Sequence, residues 1–188
     1  MSTANDSTAH DSTADNSTAD NSTSHDFDFF FGEWDVAHRR RRSFLDPDSG
    51  WEEFGATSSC RPLFGGAANI DEMPVPAQGW TGLTLRLFDP ATRLWSLHWS
   101  TDRTGRLFPP VTGRFTQDET GSPVGEFVGD DIHDAKEVRA RFVWSGISAT
   151  TARWEQAFSL DEGATWLPNW SMDFTRRATE ERTSGELA

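Results

Sequence analysis

From Glu33 to Arg176 the chain is a succession of short runs in which large apolar residues take alternate positions. Turn-forming residues break these runs about every eight to twelve positions. A side-chain period of two is that of a β-strand, and it puts successive residues on opposite faces of a sheet. Trp34, Val36, His38 and Arg40 share one face, as do Leu83, Leu85 and Leu87, then Trp95, Leu97 and Trp99. The pattern returns in Val138, Ala140, Phe142 and Trp144, in Trp154, Gln156 and Phe158, and in Trp170, Met172, Phe174 and Arg176. Asp46-Pro-Asp-Ser-Gly50, Asp89-Pro-Ala-Thr92, Asp118-Glu-Thr-Gly121 and Ser145-Gly146-Ile-Ser148 supply turns between them. No long helical period competes. The expected architecture is all-β: an antiparallel, up-and-down closed barrel of about ten strands, because closure removes exposed sheet edges. A barrel of that size is wider than its own side chains fill, so a cavity is expected.

The ring content fits an interior of this kind. There are 9 Trp and 14 Phe but no Tyr, and so many rings need a core to bury them or a cavity to line. Residues 1–26 have a different character. After Met1 they are five pentads, STAND, STAHD, STADN, STADN and STSHD, with five aspartates and no Lys or Arg. Such a segment lacks the apolar surface to offset its ordering entropy, and a disordered tail is expected. The barrel domain is expected over 27–177, opening with a short helical turn in Asp26-Phe-Asp-Phe29-Phe30-Phe31-Gly32, and residues 178–188 read as a frayed polar end.

Net charge is −13, which disfavours binding to phosphate backbones. Arg39, Arg40, Arg41 and Arg42 do not make a basic patch, since a strand splits them between its two faces. Cys60 is the sole cysteine and cannot close an internal disulfide. No signal peptide and no membrane span is visible, and a cytoplasmic protein without membrane contact is the expectation.

Period two also nominates the cavity wall. If Trp34 points inward, so do His38 and Arg40; if Trp154 points inward, so does Gln156. The apolar positions Val124 and Val128 suggest that Glu126 faces inward with them. Candidate ligand-binding residues are therefore Arg40, Trp99, Phe142, Trp144, Trp154, Gln156, Trp170 and Met172. His38 and Glu126 are the candidate acid–base groups. Arg86, His98 and Glu155 fall on the faces expected to point outward, and one such face is a candidate surface for a second copy of the chain. No metal site is nominated, and His133 between Asp131 and Asp134 reads as a solvated loop histidine.

Two motifs carry resemblances. Gly32-Glu33-Trp34 on the first strand, with Arg176 on the last, resembles the lipocalin (calycin) pattern, in which a Gly-x-Trp ring packs on a late Arg at the closed end of the barrel. Together with Phe30-Phe31, Leu85-Arg86-Leu87-Phe88-Asp89-Pro90, Trp95, Trp99 and Trp154-Glu155-Gln156, it resembles a bacterial lipocalin-like domain family of unknown function over residues 27–177. The resemblance implies a calycin-type barrel and brings no established activity. Ser159-x-Asp161-x-Gly163-x-Thr165-Trp166 is similar to the Asp-box of sialidase propellers, which implies a hairpin-stabilising role for Asp161 and Gly163.

The function expected from these features is a soluble barrel that binds a small apolar or aromatic molecule, with no resident cofactor and no nucleic acid or membrane partner. Two alternatives use the same interior. One is isomerase- or cyclase-type acid–base chemistry on a hydrophobic intermediate; the other is haem held through His38.

Overall fold

The computed structural model describes residues 22–178. Ten strands follow one another in the order of the chain: β1 (Gly32–Arg41), β2 (Trp51–Leu63), β3 (Ala68–Val75), β4 (Trp80–Asp89), β5 (Leu94–Thr101), β6 (Val111–Gln117), β7 (Pro123–His133), β8 (Lys136–Ser145), β9 (Thr151–Ser159) and β10 (Leu167–Arg176). Each pairs antiparallel with its sequence neighbours, and β1 pairs with β10 to close the barrel. The expected fold class is the one found. Closure leaves two stretches only partly laddered among the described residues: Trp51–Ser58 of β2 pair with β1 alone, and β5 meets β6 only over Trp95–Leu97.

One end of the barrel is plugged. A 3₁₀ turn at Asp28–Phe30 carries Phe27 and Phe30 into the interior, and both are fully buried. Phe27 meets Trp95 and Phe115 edge-on at 4.9 Å, while Phe30 meets Trp144 at 4.8 Å and Phe174 at 5.2 Å. The ring quadrupoles favour such edge-to-face contacts. Across the β1–β10 seam Trp34 stands opposite Arg176, whose guanidinium lies 4.2 Å from the indole centroid. Arg176 also donates to the carbonyls of Phe29, Phe31 and Ala149. One cation thereby ties the plug to the last strand. Gly32 makes room for it: its φ is +112°, and a Cβ there would stand 3.0 Å from Arg176 Nη1.

Residues 22–26, expected to belong to the tail, pack on the barrel. Ser22 is buried, its hydroxyl donates to Asp26 at 2.6 Å, and its carbonyl accepts from Arg93. Trp95 Nε1 donates to the Thr23 carbonyl at 3.2 Å. Residues 22–26 are thus docked on β5, because the polar turn satisfies donors at the plugged end that would otherwise be buried unpaired. The rest of the expected tail, 1–21, and residues 179–188 lie outside the described residues.

Two strands present the face opposite to the one expected. On β4, Trp80, Gly82, Thr84 and Arg86 point in, and the half-buried Leu83, Leu85 and Leu87 point out. On β7, Gly125 and Phe127 point in, and Glu126 is exposed on the outer face beside Arg114 of β6 and Val143 of β8. Volume explains the second reversal. Phe115 already fills the space above Gly125, where a Cβ would lie 2.8 Å from its ring.

Candidate functional site

The barrel interior holds two hollows in line, separated by a collar of side chains. The inner chamber, with a volume of about 60 Å³, lies between the plug and the collar. The outer vestibule, about 420 Å³, opens at the other end of the barrel. Leu97, Trp99, Phe142, Gln156 and Trp170 border both and form the collar.

Trp170 organises this collar. A register shift between Pro168 and Trp170 turns Asn169 inward beside it, and Asn169 Oδ1 accepts from Gln156 Nε2 at 2.9 Å. The bulge thus buries two polar side chains that satisfy one another. The Trp170 ring meets Trp99, Trp80 and Trp154 edge-on at 6.4, 6.2 and 5.6 Å. Gly82 gives Trp99 its seat, since a Cβ at that position would come within 2.1 Å of the indole. Phe44, from the β1–β2 connection, leans over the mouth and touches Trp170, Phe158 and the His133 ring.

All eight expected ligand-binding residues border these spaces. Trp99, Phe142, Trp144, Trp154, Gln156, Trp170 and Met172 line the inner chamber, and Arg40 stands in the vestibule wall. Arg40 is held by Glu52 at 2.6 Å and lies 5.4 Å from the Trp170 ring centroid. The opposite side of the mouth carries Asp130, Asp131 and His133.

The two acid–base candidates do not meet. Glu126 lies outside the barrel on β7, and His38 lies inside on β1, 2 % exposed. His38 borders neither hollow: it stacks on Phe54 at 4.6 Å, and its Nδ1 accepts from Trp170 Nε1 at 3.0 Å. Burial, with a smaller contribution from the nearby Arg40 charge, brings its pKa down to about 4. With Nδ1 engaged as an acceptor, the proton of the neutral ring sits on Nε2, which has no partner. Neither nitrogen in that tautomer offers a free lone pair to a metal or a substrate proton.

Sequence reasoning missed the polar centre of the inner chamber. Arg86, expected outside, is 3 % exposed and donates from Nη1 to Asp71 at 2.5 Å and to Asn69 at 3.0 Å. Its guanidinium lies over Phe27, Phe30 and Trp144 at 5.2, 5.0 and 5.6 Å. A buried charge needs a partner and hydrogen bonds, and adjacent β3 supplies both. The available signal was the alternation of Asn69, Asp71, Met73 and Val75, which puts a carboxylate and an amide on the face that Met73 and Val75 mark as buried. Cys60 lies beside this group, and burial pushes its thiol up to about 12, so it stays an unreactive thiol.

The Asp-box-like turn sits at the open end. Asp161 accepts from Ser159 and Thr165 hydroxyls at 2.6 Å and from the Thr165 amide at 2.8 Å. Glu162 and Gly163 take positive φ to close it. These bonds hold the Asp161 carboxyl down to about 2. The turn positions β10, and with it Trp170. No protein-family model matches the chain, and no curated protein is significantly similar to it in sequence.

Proposed function

We propose that the barrel is a lipocalin-like binding protein for a small apolar or aromatic molecule, which enters through the vestibule and packs against the aromatic collar. The observation that carries this reading is the pair of hollows sharing Leu97, Trp99, Phe142, Gln156 and Trp170. The vestibule has the size and the mixture of apolar wall and sparse polar groups that small-molecule sites use. The Gly32–Trp34–Arg176 cluster at the plugged end supports the lipocalin-like part of the reading.

Binding of the neutral fluorophore N-phenyl-1-naphthylamine to the full chain tests it. Fluorescence enhancement with saturable stoichiometry is expected. Ala140, a buried residue of the vestibule wall on β8, gives the control: Ala140→Trp fills the hollow and abolishes the enhancement. Unchanged binding by folded Ala140→Trp protein would put the probe elsewhere and end the proposal.

A further inference from the structure

Gln156 presents the cavity with a polar atom that the rest of the fold does not use. The residue is 6 % exposed and stands in register between Phe142 of β8 and Trp170 of β10. Its carboxamide therefore lies in the collar, where it borders both the chamber and the vestibule. Nε2 donates to Asn169 Oδ1 at 2.9 Å, and Asn169 Nδ2 donates onward to the Phe44 carbonyl at 3.5 Å. A backbone carbonyl can only accept. It turns the Asn169 nitrogen toward Phe44 and the Asn169 oxygen toward Gln156, which commits Nε2 of Gln156 to the pair. The end of Gln156 left over is an acceptor, Oε1.

Among the described residues Oε1 has no hydrogen-bond partner, and it is not closed off from water as Arg86 Nε and Trp144 Nε1 are. Gln156 points inward on β9, so what remains open of it faces the hollows. A body that fills the vestibule and packs on the collar displaces the water that can reach this oxygen. It then supplies a donor or leaves a buried acceptor unpaired, at the full desolvation cost of that group. An ether, carbonyl or carboxylate head brings lone pairs against lone pairs and does not meet the need.

We infer that the ligand of this barrel is an apolar or aromatic compound that carries a hydroxyl or an N–H and donates it to Gln156 Oε1 in the collar. This rests on the binding role proposed above and specifies the ligand class.

Three naphthalenes of similar shape test it, titrated into the full chain by calorimetry: 2-naphthol carries a donor, 2-methoxynaphthalene an acceptor only, and 2-ethylnaphthalene neither. The naphthol is expected to bind about tenfold more tightly than either of the others, the discrimination that one well-placed hydrogen bond gives. Gln156→Met keeps the length of the side chain and removes the acceptor. It should lower naphthol affinity and cut the naphthol's advantage to about threefold or less, without weakening ethylnaphthalene. Circular dichroism and melting show whether the variant is folded. Should the stranded Asn169 unfold it, Gln156→Met combined with Asn169→Leu removes both partners of the pair and permits the same measurement. Naphthol binding no tighter than that of methoxynaphthalene, or a naphthol preference that survives the loss of Gln156 in a folded variant, overturns the inference and leaves the cavity as a binding site. Failure of all three to bind overturns both.

Discussion

The indole N–H of Trp170 donates to Nδ1 of His38 across the β1–β10 seam at 3.0 Å. The bond fixes the neutral tautomer of a histidine that sits behind the cavity wall, and it holds the central ring of the collar at the angle that separates chamber from vestibule.

A pH dependence follows from that arrangement. His38 has its pKa lowered from 6.5 to about 4, so between those values the unfolded chain binds the proton and the folded one does not. Stability is therefore full above pH 6.5 and falls as the pH drops toward 4, by up to about 3 kcal/mol from this group. His38→Phe removes the titrating group and should flatten this limb of the stability–pH curve. Urea denaturation from pH 4 to pH 8 measures it, and parallel curves for the two proteins would contradict the assignment.

Arg86 and Asp71 should behave as a unit. Asp71→Leu leaves a buried guanidinium without its counter-charge, and a loss of roughly 3–5 kcal/mol is expected. Arg86→Met should cost a similar amount for the converse reason. The double variant is expected to be more stable than either single one, since no charge is then stranded. A double-mutant cycle by chemical denaturation provides the check; additive losses would mean that the two side chains are not coupled.

Gly82 fixes the place of Trp99 in the collar. A methyl at that position overlaps the indole, 2.1 Å from its nearest atom. Gly82→Ala should drive Trp99 toward the hollow between Trp80 and Trp170, at a cost of about 1–3 kcal/mol. It should weaken binding of N-phenyl-1-naphthylamine and alter the tryptophan emission spectrum. Unaltered emission together with unaltered probe affinity would show that Trp99 has another place to go.

Asp161 is expected to act on the turn alone. Asp161→Ala removes acceptors for two hydroxyls and one amide and should lower the melting temperature at neutral pH. The carboxyl is held down to about 2, so its contribution is complete above pH 3.8, its ordinary value, and fades as the pH falls toward 2. The melting temperatures of variant and parent should converge over that interval. A constant gap would assign the effect to something other than the ionised carboxylate.

How far the site could be read in advance depended on the strand. On β1, β8, β9 and β10 one face is apolar and the other charged, and desolvation leaves a single choice; His38, Phe142, Trp154 and Trp170 all turn inward as their spacing implied. On β4 and β7 both faces are mixed, and there the reading of Arg86 and Glu126 was reversed. Inward glycines, not inward leucines, mark those strands: Gly82 and Gly125 yield their space to Trp99 and Phe115 from neighbouring strands.

The sequence by itself determined a series of about ten antiparallel strands, their turns and the short helical turn before the first of them, because period-two alternation and turn chemistry are local properties of the chain. Only the tertiary structure decided which face of β4 turns inward and that Asp71 waits there for Arg86. That choice depends on the volume and charge brought by other strands: Asp71 is 15 residues from Arg86 in the chain and 2.5 Å away in space. Alternation says that two faces differ, and the neighbours across the barrel settle which of them is buried.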